Sequence, residues 1–165
     1  MRERISIKVI PNNTEKYMAF YIGKHLAFID SFQFMSSSLA RLVNNLPNDG
    51  FTYPKEYFSD ERHFQLMRSK GVYPYDYMDS PSKFNDTRLP KREDFYSLLT
   101  DEDINDDDYQ HAAEVWNTFE IKNMGEYHDL YLKSDILLLA DVFENFRLAS
   151  KIMDLILLIM SLLED

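Results

Sequence analysis

YHDLYLKSDILLLADVFENF, residues 127–146, decides how the chain is read. Its spacing is helical: at about 3.6 residues per turn, Tyr131 and Asp135 stand one turn apart on a shared face. A helical wheel assigns Leu132, Ile136, Leu139 and Phe143 to the buried side, and Ser134, Asp141 and Asn145 to the wet side. Asp135 falls on the shoulder of the buried side, beside Val142 and Phe146. A carboxylate there is costly unless a metal, a hydrogen-bond donor or solvent meets it. Spacing alone leaves all three open.

Working outward, residues 105–119 predict a helix entered through an acidic run, with Ala112, Ala113, Val115, Trp116 and Phe119 on its apolar side. That run, DEDINDDD at 101–108, suits a solvated helix start, where carboxylates oppose the positive end of the dipole. Helices are also expected at 91–99 and 126–150. Lys70 to Pro90, KGVYPYDYMDSPSKFNDTRLP, has no regular period and is dense in Tyr and Pro, so it reads as an ordered aromatic loop. Ser59-Asp60 opens a short helix over 59–69, stopped by Gly71, and one of Ser36, Ser37 or Ser38 caps another to about Asn45. Nearer the start, 5–10 alternates as a strand before a turn at Pro11-Asn12-Asn13. Segments 16–22 and 25–32 form a hairpin around Gly23-Lys24. Strands first and helices after predict an α+β fold.

Composition sets bounds. At 165 residues, 45% hydrophobic and 15% aromatic, the chain has material for one modest core. It has no Cys, which excludes disulfides and thiolate metal sites and favours an intracellular setting. The apolar run Leu155 to Met160 is too short to span a bilayer, so no membrane partner is expected. A net charge of −10 argues against unaided nucleic-acid binding, because phosphate contacts need cations. The four His residues show no paired metal-ligand spacing, and His128 with Asp129 reads as helix surface.

Four blocks, LAFIDSFQFMSSSLARLV, KGVYPYDYMDS, RLPKREDFYSLLTDEDI and YHDLYLKSDILLLADVFENFR, occur in an order that carries a family likeness. Together, from about Val9 to Arg147, they resemble the second half of the 3′–5′ exonuclease domain of protein-primed family-B DNA polymerases. The resemblance implies an incomplete ribonuclease-H-like exonuclease domain over 1–147, N-terminal strands followed by helices, with an acidic helical insertion at about 91–120. Tyr131-x-x-x-Asp135 matches the third exonuclease motif, in which the Asp ligates a divalent metal and the Tyr positions the attacking water. Lys70-Gly71 with Tyr75 matches a loop whose lysine offsets phosphate charge; a flexible surface lysine is the plainer alternative. Ser31-Phe32 matches a Ser-Leu pair that contacts the single-stranded primer end, and Phe32 suits base stacking and a core position equally.

Several features of that family are missing. The chain contains no Asp-x-Glu, no second exonuclease motif and no polymerase Asp-Thr-Asp, and a single carboxylate cannot build a two-metal site. The resemblance therefore implies a parent that replicates DNA, binds nucleotides, template and primer 3′ end, and works with a terminal priming protein and Mg²⁺ or Mn²⁺. The piece itself is expected to bind no metal and to be inactive alone. A non-catalytic protein-interaction module retaining part of the fold is the alternative. Residues 148–165 depart from the family pattern. One permitted back-translation of Ile152 to Asp165 contains a Tyr-Gly-x-Asp-Pro segment in another frame, so two readings of the tail stand: an out-of-frame translation, or an ordinary amphipathic terminal helix from Met153 to Leu163.

Overall fold

Alternating apolar residues and a glycine turn make the first unit a β-meander. The computed structural model describes residues 6–11, 17–24, 26–30, 32 and 35–163, excepting the side chains of 17, 18 and 155–163. Strands β1 (Ile7–Pro11), β2 (Tyr17–Ile22) and β3 (Leu26–Ile29) pair antiparallel in the order β1-β2-β3. Ile7 sits opposite Ile22, and Phe20 opposite Phe28. The last pair stacks at 4.3 Å, a cross-strand contact that fixes register. Gly23, at φ +62°, supplies the left-handed turn residue that a side chain would resist, and its N–H reaches the Ser6 carbonyl at 2.8 Å. Pro11 ends β1, at an irregularity in the pairing, rather than opening the expected turn; Asn12 and Asn13 lie outside the described residues.

The second compact unit, from Leu39 on, is helical. It comprises α1 (Leu39–Asn44), α2 (Thr52–Tyr57), α3 (Glu61–Leu66), α4 (Asp106–Thr118) and α5 (Met124–Leu163), with single 3₁₀ turns at Asn48–Gly50, Pro81–Asn85 and Arg92–Phe95. The chain is thus a mixed α+β protein, a small antiparallel sheet followed by helices. Helix α5 is the spine: α1, α2 and the Pro81–Asn85 turn pack against it, and α3 packs on α4. Among the described residues no helix is long and apolar enough to cross a membrane.

The expected helix over 91–99 is reduced to the Arg92–Phe95 turn. Asp94 caps its start by accepting the Lys91 N–H at 3.0 Å, but the turn is not continued: the Leu98 N–H bonds the Asp76 side chain at 3.0 Å instead of a carbonyl one turn back. Leu98 and Leu99 face solvent, so no apolar face was there to drive a helix. The acidic run behaves as expected, with Asn105 capping α4 through the Asp108 N–H at 2.8 Å. Helix α2 escaped the sequence pattern, and α3 is shorter than the expected 59–69.

The orientation of α5 is the main correction. Leu132, Ile136, Leu139 and Phe143, assigned to the buried side, are 41–57% exposed, whereas Ser134 and Asp141, assigned to the wet side, are buried with Leu138 and Val142. The interior polar groups have structural work. Asp141 Oδ1 accepts the Tyr53 N–H at 3.3 Å, capping α2 from a different helix, because α2 has no side-chain cap of its own. Asn145 Nδ2 donates to the Gly50 carbonyl at 3.3 Å and to the Asp141 carbonyl at 2.9 Å. A hydrophobicity wheel cannot see such caps. Between Leu132 and Phe143 α5 carries apolar residues on its exposed as well as its buried side.

Candidate functional site

The start of α5 sets the site. Asn123 caps the helix by accepting the Glu126 N–H at 3.0 Å, and the Met124 N–H bonds the Asp86 carbonyl at 2.9 Å. With the first turn fixed there, Tyr127, His128, Tyr131 and Asp135 follow along one flank, facing the segment Lys70–Tyr75. Gly71 allows that segment close. A Cβ at this position would lie 3.3 Å from Cδ2 of Tyr131, tighter than an ordinary contact.

The Tyr131 hydroxyl is the hub. Lys70 Nζ donates to it at 2.8 Å, and the Tyr75 hydroxyl lies 2.8 Å away, where either oxygen can donate. Lys70 Nζ also stands 3.8 Å from Asp135 Oδ2. Asp135 Oδ1 is buried without a hydrogen-bond partner. Tyr73 stacks on Tyr131 at 4.9 Å, and Tyr127 donates to the Val72 carbonyl at 2.8 Å. Behind Tyr131 lies a small cavity of about 20 Å³, bordered by Gly71, His111, Leu130 and Ser134.

Burial pushes the Asp135 carboxyl above the ordinary aspartate range, while the Lys70 ammonium and the Tyr131 hydroxyl pull it down without cancelling that effect. Tyr131 is held far above the usual phenol range, first by burial, then by its bond to Tyr75 and the charge of Asp135. It therefore stays protonated at any physiological pH, accepting from Lys70 and keeping a proton it can donate. Burial likewise lowers His111 and keeps it neutral.

Of the residues singled out in sequence, Lys70, Tyr75, Tyr131 and Asp135 meet in this cluster. Lys70 is partly buried and doubly engaged, not a flexible surface lysine. Ser31 lies outside the described residues. Phe32 belongs to the first unit and is 58% exposed, so its core reading is set aside; its N–H bonds Asp30 Oδ1 at 3.0 Å. Sequence reasoning missed Tyr73, Tyr127 and His128. His128 was expected as bare helix surface, yet its Nδ1 lies 2.8 Å from the Tyr73 hydroxyl. The available signal was spacing: Tyr127 and His128 precede Tyr131 by four and three residues, one helical turn.

Family models, curated proteins and solved structures give no match to this chain. The cluster alone does not fit a divalent metal. Asp135 is its one carboxylate, the Lys70 ammonium already stands beside it, and among the described residues no group of three or more His, Asp or Glu side chains could hold an ion. What these side chains offer by themselves is a cation, a neutral phenol donor and a carboxylate within one small surface, suited to a phosphate group and a water beside it.

Proposed function

We propose that the chain is the second half of a ribonuclease-H-like 3′–5′ exonuclease domain from a protein-primed family-B DNA polymerase, and that it has no activity alone. The observation that carries this reading is the meeting of Lys70, Tyr75, Tyr131 and Asp135, four residues marked by the resemblance from segments far apart in sequence. In this reading Lys70 offsets charge on the phosphate of a single-stranded DNA 3′ end. Tyr131, held protonated, donates to a phosphate oxygen or to the attacking water. Tyr75, two-thirds exposed, borders the entry for the terminal nucleotide. Asp135 contributes one carboxylate to a centre whose remaining ligands this sequence does not contain. DNA and a terminal priming protein are partners of the whole polymerase, and Mg²⁺ or Mn²⁺ is its cofactor. Incubating the chain with single-stranded DNA and either metal should release no nucleotides. Release that Asp135→Ala abolishes would overturn the claim of inactivity.

One observation favours a second reading, a non-catalytic interaction module. Leu132, Ile136 and Leu139 form an exposed apolar stripe on α5. The two readings part in the DNA that encodes the chain: an upstream frame with Asp-x-Glu supports the polymerase, and a stable frame without it supports the module.

A further inference from the structure

The hydroxyl of Tyr131 is set by Lys70 and Tyr75; around its ring, Tyr73 is stacked at 4.9 Å, while the Tyr75 ring meets it edge-on at 6.2 Å and Lys70 Nζ stands 5.1 Å from its centre. Lys70 and Tyr75 touch its oxygen, at 2.8 Å each, and both contacts are ones that water could replace. The ring is gripped between the Gly71 backbone on one side and the ring of Tyr73, inclined 28° to it. Tyr73 is held in turn by the helix that carries Tyr131. Its ring lies nearly parallel to that of Tyr127, 6.3 Å away at 9°, and its hydroxyl meets His128 Nδ1 at 2.8 Å. Phe84 closes over the far side of His128, edge to face at 5.1 Å. One turn of α5 therefore grasps Tyr73, and Tyr73 returns the hold to Tyr131 in the next turn.

We propose that Tyr73 and His128 form a positioning latch that fixes the phenol of Tyr131 where Lys70 and Tyr75 meet its oxygen. The inference takes its functional meaning from the exonuclease reading, while its geometry stands without it. A latch of this kind matters because a misplacement of about 1 Å in a catalytic group can cost on the order of a hundredfold in rate. It also explains the residue types: a ring at 73 to stack, a hydroxyl to reach the helix, and at 128 a side chain with a ring nitrogen on the near side. Tyr73 and His128 touch no reacting atom and are positioning residues only.

The test follows the site and not the overall fold. In the full chain with labelled tyrosine, the Tyr131 signals, assigned with Tyr131→Phe, report by NMR the flip rate of its ring and its contact with the Lys70 side chain. His128→Ala and Tyr73→Leu should speed the flip by about tenfold or more, because the stacked face is what hinders it, and should weaken the contact with Lys70. His128→Asn, whose amide stands where Nδ1 stood, should restore both readouts. An unchanged flip rate and contact in folded His128→Ala would overturn the latch, as would failure of His128→Asn to restore them. Should Tyr73→Leu not fold, the two His128 variants decide. If the ring is freed as expected while a chain extended to carry the missing carboxylates cuts no DNA, the latch stands and the exonuclease reading falls. Cutting that depends on Asp135, with an unchanged ring, gives the reverse.

Discussion

Removing the ammonium of Lys70 isolates the electrostatics of the site. At 3.8 Å from Asp135, the pair is worth about 4 kcal/mol with an effective dielectric constant near 20. Both side chains keep some solvent contact, 30% for Lys70 and 22% for Asp135, so salt and water reduce this to about 1–2 kcal/mol. The Asp135 carboxyl sits above its ordinary 3.8 in the folded chain, because burial outweighs Lys70. The folded state therefore binds the proton more tightly than the unfolded one. Asp135 contributes most favourably below pH 3.8, and its contribution declines as pH rises through the folded value. Asp135→Asn should remove that decline and leave the chain more stable than wild type at neutral pH. Lys70→Met should push the carboxyl higher and deepen the decline. Urea unfolding of wild type, Lys70→Met, Asp135→Asn and the double variant at neutral pH gives the coupling directly. A value of about 1–2 kcal/mol is expected; a coupling below about 0.3 kcal/mol, or an Asp135→Asn variant less stable than wild type, would refute the reasoning.

Leu138→Ala should cost about 2–5 kcal/mol by urea unfolding, because Leu138 is fully buried, whereas its exposed neighbour Leu139→Ala should cost under about 1 kcal/mol; equal costs would return α5 to the face read from sequence. Asp141→Ala should lose the cap on α2, about 1 kcal/mol or more, while Asp141→Asn keeps an acceptor for the Tyr53 N–H and relieves a carboxylate that burial holds above its ordinary range. Wild type should accordingly gain stability relative to Asp141→Asn as pH falls through the folded value of Asp141, read by the same assay.

The elements that were legible in sequence were those governed by local chemistry. The hairpin around Gly23, the Asn105 cap with its acidic first turn, and the aromatic loop after Lys70 all follow from turn residues, capping and period. The order of strands and then helices followed as well. What failed depended on distant partners. The buried face of α5 was misread because Asp141 and Asn145 point inward to serve α2 and the Gly50 turn, contacts 88 and 95 residues away. The helix expected at 91–99 stops after its capped first turn, where the Leu98 N–H goes to Asp76 of the preceding loop. In the cluster, Lys70, Tyr75, Tyr131 and Asp135 were named by the family resemblance and not by spacing, and Tyr73 and His128 by neither. Their roles exist only once the loop has folded against the helix.

We propose, as the central point, that Lys70, Tyr131 and Asp135 form one wall of a site that, in a complete domain, cuts phosphodiester bonds at DNA 3′ ends. The most direct measurement is nucleotide release from a 3′-labelled single strand by the chain extended through an upstream segment bearing the Asp-x-Glu motif, with Mg²⁺ present. The account predicts release that Asp135→Ala eliminates and that Tyr131→Phe and Lys70→Met each lower by on the order of a hundredfold. Release indifferent to all three substitutions would contradict it.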